Sequence, residues 1–412
     1  MEVTFLDGHT LAPSKEPYFL GDSGIDGYIS VTGSTDMEFD MFKITLEGLL
    51  VNTIRCLDWY ADTLIQRTQQ LLQLDAIKTA ADFIGVDAED PTKSRSTPKC
   101  FFHFDIPKSL QSELLGQNHG HLGDLPPYLP PFEIGERHPV FQPRRQGQCI
   151  VTYALCVKAL KHDKVVATCA RSIRIIPTLA IAPPFCVADF PDEYCLARSR
   201  EPRRWSLGVC RTGDLRIEAT QPAPVILNQL TDDTVCSASL SLTQMTSSKV
   251  NCRNEGPRTP ANSRCTASLM FSTFISGDPR ESAPTLKDLS SSRTLCRECG
   301  VYAKVEVPAE FSQWVKVPAP LRVEDGDATL GTVQQWKSEA HVTLNFGKLK
   351  HPVPSFESSL VSRRYKVDLR IRIAAPYRCK FRLALPVQIL YRADNCQNPG
   401  RVPESECPPY IA

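Results

Sequence analysis

Val361-Ser-Arg-Arg-Tyr-Lys-Val-Asp-Leu-Arg-Ile-Arg-Ile373 is the stretch on which the fold turns. Val367, Leu369, Ile371 and Ile373 alternate with Lys366, Asp368, Arg370 and Arg372. A period of two places the aliphatic residues on one face and the charges on the other, as in a half-buried antiparallel strand. Pro354-Ser-Phe356 precedes the run, and Leu385-Pro-Val-Gln-Ile-Leu-Tyr391 follows it after a polar break.

The same period recurs upstream. Phe42, Ile44 and Leu46 alternate with Lys43, Thr45 and Glu47, and Val151, Tyr153, Leu155 and Val157 share one face of a strand spanning Cys149 to Ala159. Further strands are expected at Tyr28–Thr32, Phe101–Ile106, Val165–Ile176, Leu215–Ala219, Ser237–Gln244, Ala267–Ile275, Gly300–Val307 and His341–Phe346. Short alternating runs broken by 33 prolines and 21 glycines predict an all-β protein of stacked sheets. One segment reads otherwise. Tyr60, Leu64, Arg67, Leu71 and Leu74 recur at three- and four-residue steps, which predicts a helix from Leu57 to about Leu74. Thr246–Ser263 and Gly277–Arg293 read as long polar loops.

A chain of 412 residues exceeds one ordinary core, so two domains are expected. The boundaries fall at 1–176 for the first sandwich, 177–191 for a Pro-rich linker, 192–395 for the second sandwich and 396–412 for a tail. Lys+Arg at 47 against Asp+Glu at 46 gives a net charge of +1, which draws the protein to no nucleic acid. No run of 18 apolar residues occurs, and Met1–His9 lacks the basic and apolar regions of a secretory leader. Sixteen cysteines invite a disulfide reading, but no leader and no Asn-x-Ser/Thr sequon accompany them. The expectation is therefore a reduced, cytoplasmic protein.

Several motifs, in order, resemble those of the arrestin-like family, in its fungal trafficking-adaptor form. Tyr18-x-x-Gly-Asp-x-x-x-x-Gly27 is similar to the family's opening turn, and Phe101-Phe-His-Phe-Asp-Ile-Pro107 to its Phe-rich strand. Leu125-Pro-Pro-Tyr-Leu-Pro-Pro131 stands where the family has a Leu-Pro-Pro-Ser turn. Gly147-Gln-Cys-Ile-Val-Thr-Tyr153, Ala170–Ile176, Met270–Pro279 and Pro354-Ser-Phe356 continue the likeness to Tyr391, while Arg200–Ser263 matches poorly. The resemblance implies two consecutive immunoglobulin-like sandwiches, the arrestin fold, with one short helix in the first. It also implies a non-catalytic adaptor that binds membrane-protein cargo tails and links them to ubiquitination and endocytosis. Such a protein would be cytoplasmic, with peripheral recruitment to the plasma membrane or endosomes. The alternative is a sandwich scaffold that has lost ligase recruitment.

Adaptors of this kind dock WW-domain HECT-type ubiquitin ligases through Pro-Pro-x-Tyr, which this chain lacks. Leu125, Pro126 and Tyr128 fit a looser Leu-Pro-x-Tyr form, and Pro408, Pro409 and Tyr410 form a near match in the tail. The plain alternative for Leu125–Tyr128 is a structural turn. Arg363, Arg364, Lys366, Arg370 and Arg372 open a run of eight basic residues to Arg382 against the single acid Asp368. That run is either a solvated strand face or a contact surface for acidic lipid headgroups or phosphorylated tails. Cys296-Arg-Glu-Cys299 stands alone, without a second pair at zinc spacing. His119, His121 and Asp124 lie in one polar loop and read as solvated groups. No nucleophile elbow, phosphate loop or His-Glu-x-x-His helix is present, so no catalytic, cofactor or metal residues are assigned.

Overall fold

The structure, a computed structural model, describes residues 1–6, 9–10, 16–21, 24–31, 39–57, 62–85, 98–107, 109–110, 123–136, 144–178, 186–200, 214–229, 232–247, 257–260, 262–318, 333–350, 352–374 and 377–392. Strands dominate it. The first half supplies β1 (Glu2–Phe5), β2 (His9–Thr10), β3 (Pro17–Leu20), β4 (Ile25–Ser30), β5 (Met41–Leu57), β6 (Asp62–Thr79), β7 (Ile84–Gly85), β8 (Pro98–Phe104), β9 (Leu129–Glu136), β10 (Arg144–Lys161) and β11 (Lys164–Ile176). The second half opens with β12 (Ala197–Arg200), β13 (Leu215–Ala219), β14 (Val225–Leu227), β15 (Asp233–Ser247) and β16 (Ser263–Ser276). A short helix, α1 (Leu286–Ser291), precedes β17 (Leu295–Ala309), β18 (Val315–Val317) and β19 (Val333–Lys348). The chain closes with β20 (Phe356–Glu357), β21 (Val361–Ile373), β22 (Cys379–Val387) and β23 (Ile389–Tyr391).

Each named sheet draws its strands from one half only. In the first half, β1-β4-β8-β7 faces β2-β3-β11-β10-β5-β6, with β9 added to β10. In the second, β12-β13-β15-β19-β18 and β17-β16-β21-β20 are the large sheets; β22 joins β21, and β14 pairs β23 separately. The alternation read from sequence sets the inward faces. Phe42, Ile44, Leu46, Val151, Tyr153, Leu155 and Val157 are all buried in one core. Val367, Leu369, Ile371 and Ile373 are buried in another. The two cores interpenetrate at their margin: Tyr18, Leu20 and Ile176 pack in the second, while Ile275, Phe356 and Val361 pack in the first.

The expected helix at Leu57–Leu74 does not form; Asp62–Thr79 is β6, paired with β5 along its whole length. A bulge explains the misleading period. The register slips between Gly48 and Leu49 of β5, so that Gly48 faces Leu72, Leu49 faces Gln70, and Leu71 is the extra residue. Leu71 and Leu72 are consequently both buried, and the inward set passes from Ile65 and Gln69 to Leu74 and Ala76. An inserted residue turns a step of two into a step of three, which a helix also makes. Gly48 is required there, since a Cβ on it would lie 2.5 Å from the Tyr153 ring.

The loop expected at Gly277–Arg293 contains α1, which Thr285 caps. The Thr285 hydroxyl accepts from the Asp288 amide, and the Asp288 carboxylate accepts from the Thr285 amide at 2.8 Å. Thr285-Leu-Lys-Asp288 is thus a capping box with Asp in place of the usual Glu. Between β10 and β11, His162 (φ 51°) and Asp163 (φ 62°) make a two-residue hairpin turn with both residues left-handed. Of the expected linker, Val187–Asp189 forms one 3₁₀ turn.

Candidate functional site

Polar side chains concentrate where the two halves meet. β5 presents Asn52 at an inward position between Leu50 and Ile54, where the strand's alternation calls for an apolar residue. Its Nδ2 donates to the carbonyls of Ser276 and Leu360, each at 2.9 Å, so it bridges two segments of the second half. Arg145, buried at the start of β10, donates from Nη1 to the carbonyls of Leu289 at 2.7 Å and Leu295 at 3.0 Å. Leu289 lies in the last turn of α1, whose carbonyls lack helical partners. Cys56 adds a weaker bond from Sγ to the Arg293 carbonyl at 3.0 Å.

A second contact runs through the backbone. The Asp124 amide donates to the Glu357 carbonyl, and the Glu357 amide to the Asp124 carboxylate, both at 3.3 Å. Gly123 and Ser358 complete this short antiparallel bridge. Burial pushes the Asp124 carboxyl above its ordinary range. Glu357 is raised too, first by burial, although Arg364 pulls it down, and then by Asp124, Asp189 and Glu193.

Arg363 and Arg364 occupy opposite faces at the start of β21. The Arg364 guanidinium lies over the rings of Phe190 at 4.1 Å and Phe274 at 4.4 Å. Its Nη2 donates to Glu193 at 2.7 Å and to the Pro284 carbonyl, with both partners of the ion pair about 5% exposed. Burial dominates the Glu193 carboxyl and raises it, even though Arg364 acts in the opposite sense. Arg363 lies over Phe271 at 4.3 Å, within 6 Å of Tyr302 and Tyr365. Glu298 faces it, and burial raises that carboxyl as well. These stacked cations are a form of packing as much as of charge pairing.

The basic run therefore does not form one surface. Arg363 and Arg364 are 7% and 4% exposed, which removes them from any external contact. Lys366 is half-buried and Asp368 is buried beneath Arg382, at 2.6 Å, and Arg370, at 3.5 Å. Beyond it, Arg370 and Arg372 are exposed and stand opposite Arg382 and Lys380 of β22. Arg264 of β16 faces Arg372 on the other side. Five cations thus form a strip across three strands.

Leu125 and Pro126 belong to the core. Leu125 is fully buried, the Tyr153 hydroxyl donates to the Pro126 carbonyl, and the Tyr128 amide donates to the Ile175 carbonyl at 2.9 Å. Tyr128 is half-buried beneath Arg174, 5.0 Å from its ring. The structural-turn reading describes this geometry. Pro408, Pro409 and Tyr410 lie outside the described residues, as do His119 and His121. Cys296 is buried and Cys299 exposed, because three residues along a strand reverse the face. Cys236 and Cys265 are free thiols, and burial pushes Cys265 up to about 12 and Cys236 up to about 11.

Sequence reasoning missed the junction. Asn52 carried a signal, a polar residue on an apolar face, and Arg363-Arg364 carried another, a break in the alternation before Tyr365. Glu193 carried none. Neither protein-family models nor curated proteins yield a match to this chain.

Proposed function

We propose that this chain is a non-catalytic, arrestin-like adaptor that binds the tails of membrane-protein cargo and links them to ubiquitination and endocytic trafficking. The observation that carries the reading is the strip of Arg264, Arg370, Arg372, Lys380 and Arg382, held in register on the exposed face of three paired strands. Its cations suit acidic headgroups or phosphorylated tails, and rigid strands position them better than a loop would. The stacked sheets and the motif order described above agree with two consecutive sandwiches divided near 176 and 192. No helix among the described residues is long and apolar enough to cross a membrane.

Vesicle co-sedimentation tests the strip. Arg370→Glu with Arg372→Glu is expected to abolish binding to phosphatidylserine vesicles at low salt, and unchanged binding would remove the strip from the proposal. A pull-down with WW domains tests ligase recruitment through Tyr410, with Tyr128→Ala and Tyr410→Ala as variants. Burial of Leu125 and Pro126 favours the second reading, a scaffold that recruits no ligase; absence of WW binding by the unmutated chain would select it.

A further inference from the structure

A cavity of about 150 Å³ lies beside α1, between the end of β16 and the start of β21. Phe274, Pro284, Leu295, Leu360 and Val361 form its apolar walls, and Arg280 with four serines supplies the polar ones. Two polar groups that line it have no hydrogen-bond partner among the described residues. Ser362 is 1% exposed, and its hydroxyl is one of them. Arg280 gives Nη2 to Asp288 at 2.9 Å and leaves its buried Nε as the other. Arg364, two residues along β21 from Ser362, borders the same walls. Its guanidinium stacks on Phe274 and donates to the Pro284 carbonyl, while its Nε and Nη1 are also unpartnered.

The acceptors around the cavity are engaged already. The Ser276 and Leu360 carbonyls accept from Asn52, Leu295 from Arg145, Ser359 from the Arg280 amide, and Pro284 from Arg364. The Ser276 and Ser358 hydroxyls donate to the Asp278 and Val361 carbonyls. The open groups are therefore donors, and a buried donor is costly unless something accepts from it.

We propose that this cavity binds a small monovalent anion of the chloride class, held by the Ser362 hydroxyl and the Arg280 Nε–H in the field of Arg364. The donor pattern selects an anion over water. A water accepts, but it must also place two hydrogens of its own, and the carbonyls named above are engaged. The walls select a monovalent ion over phosphate, whose several oxygens would be buried against Phe274, Leu295, Leu360 and Val361 without donors. Asp288 and Glu193 already face the two guanidiniums, so the ion adds negative charge to the cluster. Glu193, raised chiefly by burial, takes up the compensating proton most readily. Because Asn52 holds the Ser276 and Leu360 carbonyls, an ion here braces the segments that clamp the two halves. The site is independent of the cationic strip.

Bromide, which scatters anomalously, locates the ion. Crystals of the full chain soaked in sodium bromide are expected to show an anomalous peak in this cavity, against Ser362 Oγ and Arg280 Nε. In solution, sodium chloride is expected to raise the melting temperature saturably relative to sodium gluconate at equal ionic strength. Ser362→Ala is expected to weaken the fitted chloride affinity about tenfold. Glu193→Gln keeps the side chain's shape without its charge and is expected to strengthen that affinity. No anomalous peak in the cavity, equal melting in the two salts, or a chloride response untouched by Ser362→Ala would each overturn the proposal. So would inorganic phosphate that displaces bromide from the cavity. The bromide result uses the unmutated chain, so it decides the matter even if Ser362→Ala does not fold.

Discussion

β21 and β6 are both long antiparallel strands, and they differ in almost everything else. β21 is central, with β16 on one side and β20 and β22 on the other, and nine of its first eleven residues are buried, all but Lys366 and Arg370. It even buries two guanidiniums, because aromatic rings and Glu193 from other segments replace water around them. β6 is an edge among the described strands, and of its first nine residues only Ile65 and Gln69 are half-covered. Position in the sheet, more than composition, decides whether an arginine or a leucine is inside.

The largest test of that contrast compares two arginines of one strand. Arg364→Ala leaves Glu193 buried without its partner and is expected to cost roughly 3–5 kcal/mol in denaturant unfolding. Arg370→Ala, on the solvated face, is expected to change stability by less than about 0.5 kcal/mol. Equal effects would mean that burial at the junction does not govern the strand. A smaller contrast lies within β6. Leu72→Ala opens a void beneath Tyr153 and is expected to cost roughly 2–3 kcal/mol, while Leu64→Ala stays within about 0.5 kcal/mol. If Leu64 proved the costlier site, the bulge assignment would be wrong.

Thr285→Ala removes the cap of α1, against which Arg145 docks, and is expected to cost about 1 kcal/mol. A drop in melting temperature rescued by Thr285→Ser would identify the hydroxyl as the cause; no drop would show the cap to be dispensable.

The smallest effect has opposite signs in the two regions. At the junction, Asp124, Glu193, Glu298 and Glu357 have raised carboxyls, chiefly through burial. The native state there holds protons that the unfolded chain has released, so their stabilisation is full below the ordinary carboxyl range and is lost as pH rises through the shifted values. On β5–β6, Asp75 is lowered by the Thr45 hydroxyl first and then by Lys43, and Asp62 by Arg55. Those contributions are present at neutral pH and fade on acidification. Amide exchange, corrected for intrinsic rates, should therefore show the junction tightening from pH 7 to 4.5, while the β5–β6 hairpin holds over that range and loosens only on further acidification below the ordinary Asp range. A uniform response in both regions would contradict the separation.

Strand identity was legible wherever a strand keeps a strict period of two, as at Phe42–Leu46, Val151–Val157 and Val367–Ile373. It was lost at β6, because one inserted residue mimics helical spacing, and at α1, because six residues are too few to show a period. The candidate sites fared unevenly. Arg370 and Arg372 are exposed, whereas Arg363, Arg364, Leu125 and Pro126 were taken into the interior by segments far away in the chain.

Local alternation, turn residues and composition determined by themselves that this protein is built of sheets, and which side chains face inward along each regular strand. Only the tertiary structure decided which strands are edges, which arginines are buried, and that Asn52 and Arg145 peg one half to the other. The reason is physical: alternation is a property of a single strand's geometry, whereas burial of a charge depends on partners far away in the chain, such as Glu193, 171 residues from Arg364.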